Sequence, residues 1–444
     1  MTKIHCIGIG GIGLSGIAQI LHDKGAKVTG SDIEDSPLIE SMREKGIEVS
    51  IGHDAALITP DITKVIYSSA VPQDNVELAK AKELEIETIT FSEAVKEFTQ
   101  DLYTVAICGT HGKTTVTAFS SLALIAGEKD PTVIIGSTIK EFNNSNYRVG
   151  KGKYFIVEAC EYKRNFLHYD PNVVIITNIE AEHLDYFKDL EDYKSAYSEF
   201  VNKLPEDGFI IANGDDEDVL DIIKDFKGNV ILFSTKEKNT DWYVEGNEIY
   251  KAGEKVGELE LKIPGEFNKQ NALCGLILGQ ILHVDREAIL DKFKEYTGSW
   301  RRFEQIGNFH GIRMISDYAH HPTAIIKTLR ATHEKYPDSR ICCIFQPHQY
   351  NRTKHFLPEF AESFKEADYV IIPSIYKVRD SKEDTDAISV EELVEELKKH
   401  KENSFYLPEY EQIRVFLEEH KDDIDITFIM GAGDIWTLGD FLLG

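Results

Sequence analysis

The stretch LYTVAICGTHGKTTVTAF, residues 102–119, decides how this chain is read. LYTVAIC is a short apolar run with the length and composition of a buried strand. GTHGKTT (109–115) is a glycine turn, and the residues after it have helical apolar spacing. A strict P-loop is G-x-x-x-x-G-K-[ST], but Ile107 stands five residues before Gly112, so this is a shorter variant. The physics is the same: glycines let backbone amides curl around phosphate oxygens at a helix N-terminus. Gly109, Thr110, His111, Gly112, Lys113, Thr114 and Thr115 are therefore the expected nucleotide loop. In it Lys113 reaches the β/γ-phosphates of ATP and the Thr114 hydroxyl holds Mg²⁺. For the motif standing alone, the plainer alternative is a glycine turn followed by a surface lysine.

Two acidic clusters follow, each just past an apolar strand. FIVEACEY places Glu158 at one strand end, and VVIITNIEAEHLDYF places Glu180, Glu182, His183 and Asp185 at another. Strand C-termini of an open α/β sheet converge on the ligand crevice, so both clusters are expected to face the loop. A carboxylate from Glu158 and a neutral imidazole from His183 would join Thr114 around Mg²⁺. A lone His183 would more often be a satisfied turn histidine; its company with Thr114 and Glu158 reverses that preference.

Working outward to the start of the chain, GIGGIG (Gly8–Gly13) reads G-x-G-x-x-G between the strand KIHCIGI and a helix over 11–24. Asp32 lies where the ribose-binding acid of a dinucleotide site would stand. Taken alone, this fingerprint points to an NAD-dependent dehydrogenase, a reading that leaves the second glycine loop unexplained. AKVTGSD and KVIYSSAV are further strands, separated by helical stretches near 38–45 and followed by one near 75–84. This βαβαβ alternation implies a doubly wound parallel sheet.

The alternation restarts twice. KYFIVEA, NVVIITNI and GFIIANGD are strands of a second sheet, and GNEIYKAGEKVGELELKIPG reads as a small antiparallel patch. IRMISDYA, RICCIFQ, DYVIIPS and DITFIMGAGD are strands of a third, with charged segments such as 391–401 as solvated helix faces. The expected fold is α/β in three domains. These are a Rossmann-like one over 1–98, a central P-loop ATPase domain over 99–299 with a parallel sheet plus the antiparallel patch, and a Rossmann-like one over 300–444. A chain of 444 residues is long enough for all three.

The formal net charge of −27 repels polyphosphate backbones, so nucleic acid is not expected as a partner. Six cysteines without C-x-x-C pairing suit reduced, buried thiols in a cytoplasmic protein. The first residues lack a small-residue cleavage site, and no run of about 18 apolar residues exists, so neither export nor a membrane partner is expected.

GTHGKTT, EACE, NIEAEHLD, GEFNKQNAL, SWRRFE, DYAHHPTAI, FQPHQYNRT and GAGDI occur in one order along the whole chain. In that order they closely resemble the Mur ligases, which build the peptide of bacterial cell-wall precursors. The resemblance implies phosphorylation of the lactyl carboxylate of UDP-N-acetylmuramate by ATP to an acyl phosphate. An amine then attacks, with ATP and Mg²⁺ as cofactors. GIGGIGLSGIA, SSAVP, DYAHHPTAI and FQPHQYNRT look most like the members that add L-alanine. The alternative is the recycling member that attaches a whole tripeptide to the same nucleotide sugar. Later-step members carry a CO₂-modified lysine downstream of the H-x-D motif; here Tyr197 stands there, with Lys194 out of register, as in the alanine- and tripeptide-adding members.

The resemblance also implies residue roles. Gly10, Gly11, Ile12, Gly13, Ser31, Asp32, His53 and Ser69 would bind the UDP-sugar. Lys113, Glu158, His183 and His320 would be catalytic. Asn268 and Asn271, on one helix face, would meet adenine; for Asn268 alone, helix capping is an equal reading. Arg302 would close on the ATP phosphates and Asp317 would contact the ribose region, while Arg301 is read as structural or exposed. Tyr318, His348 and Arg352 would recognise the amino acid, Arg352 through its carboxylate. Gln349 departs from the arginine many relatives have after this histidine. Lys163 and Arg164 also depart, and either face the muramate carboxylate or balance an acidic surface. The expected assembly is a monomer or weak homodimer.

Overall fold

The structure is a computed structural model, and it describes residues 2–183, 186–378 and 380–444. Asp185, named above with the acidic cluster, lies outside the described residues. Three sheets carry the chain. The first runs Glu48–Ile51, Lys27–Asp32, Lys3–Ile7, Lys64–Tyr67, Glu87–Thr90 in spatial order, all parallel. Its strand order reverses beside Lys3–Ile7, so GIGGIG leaves the sheet at the switch point where ligands of such folds bind.

The second sheet has ten strands. Tyr103–Cys108 lies between Val173–Ile176 and Tyr154–Glu158, all parallel. Val173–Ile176 is buried throughout, so the run VVII packs on both faces. Each such aliphatic side chain contributes roughly 1.5–3 kcal/mol over leaving it in water. At one edge Trp242–Glu245, Glu248–Lys251 and Glu254–Glu258 form the expected antiparallel patch. A second antiparallel pairing, Thr132–Ile139 with Ser145–Arg148, closes the other edge and has no counterpart in the sequence reading.

By contact the first two sheets form one compact unit, residues 1–261 and 269–296; residues 262–268 group with 297–444. The expected boundary after residue 98 falls in the last turn of the helix Phe91–Thr99, which a Thr90–Glu93 capping box starts. Within this unit Asn146 Nδ2 donates to Ile12 O at 2.6 Å and to Ser15 Oγ at 2.9 Å, tying the helix after GIGGIG to the second sheet.

The third sheet runs Glu304–Phe309, Ile312–Asp317, Ile426–Met430, Ile341–Phe345, Tyr369–Ile372, Ser404–Tyr406, parallel except for its first strand. DYAHHP, GAGD and FQPHQYNRT therefore leave three adjacent strand ends. The helix Val390–Lys398 is amphipathic: Leu393, Val394 and Leu397 are buried beneath its charged face. No described helix is long and apolar enough to cross a membrane.

Candidate active site

The P-loop sits at the C-terminal end of Tyr103–Cys108 and opens the helix Lys113–Ala126. Gly112 caps that helix with φ +83, a left-handed conformation that any Cβ would strain. The loop is stitched to the neighbouring strand end. Thr110 N donates to Asn178 O at 2.9 Å and His111 N to Asn178 Oδ1 at 2.9 Å. Thr110 Oγ1 accepts from Glu180 N at 2.9 Å, and His111 Nε2 lies 2.7 Å from Glu180 Oε2. The segment TNIE is thus the bracket that shapes the loop. Thr114 and Thr115 are buried in the first turn of the helix.

Lys113 folds back over its own loop, its ammonium donating to the carbonyls of Gly109 and Thr110. It also straddles Glu161, 3.4 Å from Oε1 and 3.3 Å from Oε2. Burial opposes the lysine's charge, but Glu161, then Glu182 and Glu158, outweigh it and hold the group above its ordinary value. Burial likewise works against the Glu161 carboxylate. Lys113 and His183 win, holding it below the usual range, so both members of the pair are ionised.

Glu161, Glu182 and His183 each bring one donor atom within 4.8 Å of the others. His183 Nε2 is 3.6 Å from Glu161 Oε1. Among the described residues, none donates a hydrogen bond to the buried Glu161 Oε2. Two carboxylates and an imidazole converging in this way fit a divalent cation. The carboxylate that clusters with His183 is Glu161. Glu158, three residues earlier, accepts from Gly136 N at 2.6 Å.

At the first sheet, Asp32 Oδ2 accepts from Gly10 N at 2.7 Å, so this acid grips the glycine loop itself. Ser31 O accepts from Gly8 N and Ile9 N at 2.8 and 3.1 Å. Beneath lies Glu77, fully buried: His5 Nε2 and Ser31 Oγ reach its Oε2 at 2.9 and 2.8 Å, and His53 Nδ1 reaches Oε1 at 2.8 Å. Ser69 meets the segment after Glu161, its carbonyl accepting from Lys163 Nζ at 3.1 Å and its hydroxyl from Asn165 Nδ2 at 3.3 Å. Lys163 and Arg164 both have left-handed backbones, φ +52 and +57. Two such residues in a row cost of order 1–3 kcal/mol each and persist only where the surroundings impose them. Arg164 turns away to Asp192 and Glu199, at 2.9 and 3.1 Å. Lys194 is spent on Glu191, Asp218 and Asp221, and Tyr197 is buried beside Glu161's neighbours.

In the third sheet's unit, Asp317 is buried and accepts from Phe303 N and Ala319 N, both at 2.8 Å; burial pushes its carboxyl up. Arg302 and Arg301 flank the Tyr318 ring at 4.9 and 5.1 Å. Arg301 is buried, which removes the exposed reading; it binds Gly431 O, and burial lowers its guanidinium to about 10. His320 Nδ1 is 3.0 Å from Tyr318 O. Arg352 lies 3.4 Å from His348 Nδ1, and the His348 ring stacks on Tyr376 at 5.5 Å. Gln349 stands between them with φ +72, strained backbone at a candidate binding loop. Asn268 donates to Pro264 O at 2.6 Å; Asn271 packs against Gly112, where an added Cβ would meet its Oδ1 at 2.7 Å.

Sequence reasoning missed Glu161, Glu77, Tyr193 and Tyr376. EACE carried a signal for the first, since a second acid follows Glu158. The others have none in local spacing.

Family models match along the chain: Mur ligase family, catalytic domain, over 3–103; Mur ligase middle domain over 107–279; and Mur ligase, glutamate ligase domain, over 301–433. A UDP-N-acetylmuramate–L-alanine ligase of Acetivibrio thermocellus is 40% identical over 99% of this chain and 95% of its own length. The chain belongs to the Mur ligase family. A ligase of the same name from Caldanaerobacter subterraneus is 39% identical, covering 99% and 97%. Among solved structures, the UDP-N-acetylmuramate–alanine ligase of Thermotoga maritima superposes with TM-score 0.84 at 27% identity, covering 100% and 98%. A murein peptide ligase of Psychrobacter arcticus shares the fold, with TM-score 0.77 at 22% identity, covering 100% and 98%. The Mur ligase three-domain fold accounts for both glycine loops, which the dehydrogenase reading does not.

Proposed function

We propose that this chain joins L-alanine to the lactyl carboxylate of UDP-N-acetylmuramate at the expense of ATP, in the cytoplasm. Full-length likeness to ligases of that name supports the substrates. The observation that carries the chemistry is the ionised Lys113–Glu161 pair beneath a phosphate loop. In this reading residues 1–98 bind the nucleotide sugar, 99–299 bind ATP, and 300–444 bind the amino acid.

Gly10, Gly11, Ile12 and Gly13 would offer loop amides to the sugar's diphosphate, with Asp32 holding the loop in shape. Ser31, His53 and Ser69 would line the same ligand, and Lys163 would face its carboxylate. The P-loop residues 109–115 would wrap the ATP phosphates, and Lys113 would swing from its own carbonyls onto the γ-phosphate. Asn271 would meet adenine beside Gly112, with Asn268 setting the start of that helix. Mg²⁺ held by Glu161, Glu182 and His183, with Thr114 and Glu158 beside it, would offset the charge of two approaching anions. Arg302 and Asp317 would serve the nucleotide, and Tyr318, His320, His348 and Arg352 the incoming amino acid.

A lactyl carboxylate oxygen attacks the γ-phosphorus and ADP leaves. The amine then attacks the acyl carbon and inorganic phosphate departs with that oxygen. Substrate labelled with ¹⁸O in the carboxylate should therefore release phosphate carrying one label per turnover. Unlabelled phosphate would rule out the acyl-phosphate route.

A further inference from the structure

Beneath the P-loop lies a buried line of hydroxyls that the reaction above does not use. Tyr193 and Tyr197 stand four residues apart on the helix Leu190–Val201 and share one face of it. Both side chains are fully buried. Their hydroxyls are 3.0 Å apart. The Tyr193 hydroxyl also lies 3.2 Å from Glu161 Oε1 and 3.3 Å from Thr110 Oγ1. One phenol thus touches the phosphate loop, the carboxylate under the loop's lysine, and a second phenol.

Counting protons gives the line a direction. The Glu161 oxygen accepts here, and a phenol has a single proton to give. Tyr193 therefore donates to Glu161. Thr110 Oγ1 lies 3.0 Å from Glu180 O, a carbonyl, and donates there. The proton between the two phenols must then come from Tyr197. The line runs Tyr197 to Tyr193 to Glu161, each donor polarising the next.

The line breaks a symmetry that Lys113 leaves intact. The ammonium is nearly equidistant from the two oxygens of Glu161, at 3.4 and 3.3 Å, so it does not fix the rotation of the carboxylate. Tyr193 binds Oε1 alone. Among the described residues nothing donates a hydrogen bond to Oε2, which keeps its ion-pair distance to Lys113. Ring packing fixes the donor: Tyr193 meets Phe187 edge-on at 5.0 Å, and Tyr197 meets Phe166 at 5.2 Å.

We propose that Tyr193 is a positioning residue, whose hydroxyl pins Glu161 through Oε1, the oxygen 3.6 Å from His183 Nε2, and so holds the carboxylate in place with Glu182 and His183 for a divalent cation. Tyr197 strengthens that donor from behind. The proposal rests on the ligase reading only for its turnover arm; its cation-binding arm stands alone.

The test compares the full-length wild type with Tyr193→Phe and Tyr197→Phe. Mn²⁺ binding in the presence of ADP is read by electron paramagnetic resonance of the free ion, and the Mg²⁺ dependence of turnover is measured beside it. Tyr193→Phe should weaken Mn²⁺ about tenfold. It should raise the Mg²⁺ half-saturation by a similar factor, recover kcat at high Mg²⁺, and keep the wild-type KM for UDP-N-acetylmuramate. Wild-type Mn²⁺ affinity in Tyr193→Phe overturns the proposal. If that variant does not fold, Tyr197→Phe decides: a two- to threefold weakening, about the size expected of a polarising neighbour, supports the line, and unchanged affinity overturns it. A wild type that binds Mn²⁺ yet turns over neither L-alanine nor tripeptide would sink the ligase reading and leave the proposal standing.

Discussion

Lys113 and Glu161 should be strongly coupled, and a double-mutant cycle measures by how much. The ammonium and carboxylate are 3.3 Å apart, with side-chain exposures of 18% and 1%. At an effective dielectric of about 20, Coulomb attraction at that distance is about 5 kcal/mol. Residual solvent at the lysine reduces it, so about 2–4 kcal/mol of coupling is expected between Lys113→Met and Glu161→Gln. Either single change leaves a buried charge alone and should cost more than the double change. Unfolding in urea is followed by Trp242, buried in the second sheet, in a background where Trp300 and Trp436 are Phe. The pH dependence follows from both shifts. The Glu161 carboxyl is depressed, so its share is present above the ordinary carboxylate range and is lost as pH falls through its folded-state value. The Lys113 ammonium is raised, so its share is present below lysine's ordinary value and is lost only as pH rises past its folded-state value. The coupling should therefore be flat through neutrality and fade in acid. Additivity within about 0.5 kcal/mol at pH 7 would refute the buried pair.

Three other perturbations test separate parts. Gly109→Ala forces a Cβ at φ +122 onto Thr177 Oγ1 and 2.9 Å from Asn178 O, so ADP binding should fall at least tenfold by isothermal titration. Glu77→Gln leaves at least one of the side-chain partners His5, Ser31 and His53 facing an amide NH₂, which costs about 1–3 kcal/mol; it should weaken UDP-N-acetylmuramate binding while leaving ADP binding intact. Lys163→Ala should raise the KM for the nucleotide sugar about tenfold. Arg164→Ala, which loses only partly exposed ion pairs worth about 0–1 kcal/mol, should leave that KM alone.

The legible parts of this fold are those written in local pattern. VVII and ICCIF are continuous apolar strands, and Gly112 before Lys113 marks a helix start. The edge strands EVSI and ETIT escaped notice because they are four residues long and largely solvated, with no apolar run to mark them. Glu161 was overshadowed by Glu158. Spacing puts Glu158 at the strand end, but after Ala159 pairs back to Ile107 O the chain turns and carries Glu161 under the lysine. Glu77 looks like an ordinary first-turn helix acid. It is buried where His5 and Ser31, on two strands of the first sheet, and His53, in the loop after a third, converge on it, a juxtaposition that no local window contains. Tyr193 and Tyr197 carry a helix-core spacing, and only the folded chain shows where their hydroxyls point.

The central claim concerns which amine this ligase takes. Purified protein is given UDP-N-acetylmuramate, ATP and Mg²⁺ with equimolar L-alanine, L-serine, glycine and the cell-wall tripeptide, and the nucleotide-sugar products are separated by mass. The L-alanyl adduct should dominate from the earliest time points. A small pocket separates alanine from glycine by about 1–3 kcal/mol, so a minor glycyl product is compatible with the account. A product mass carrying the intact tripeptide, or no adduct at all, would contradict it.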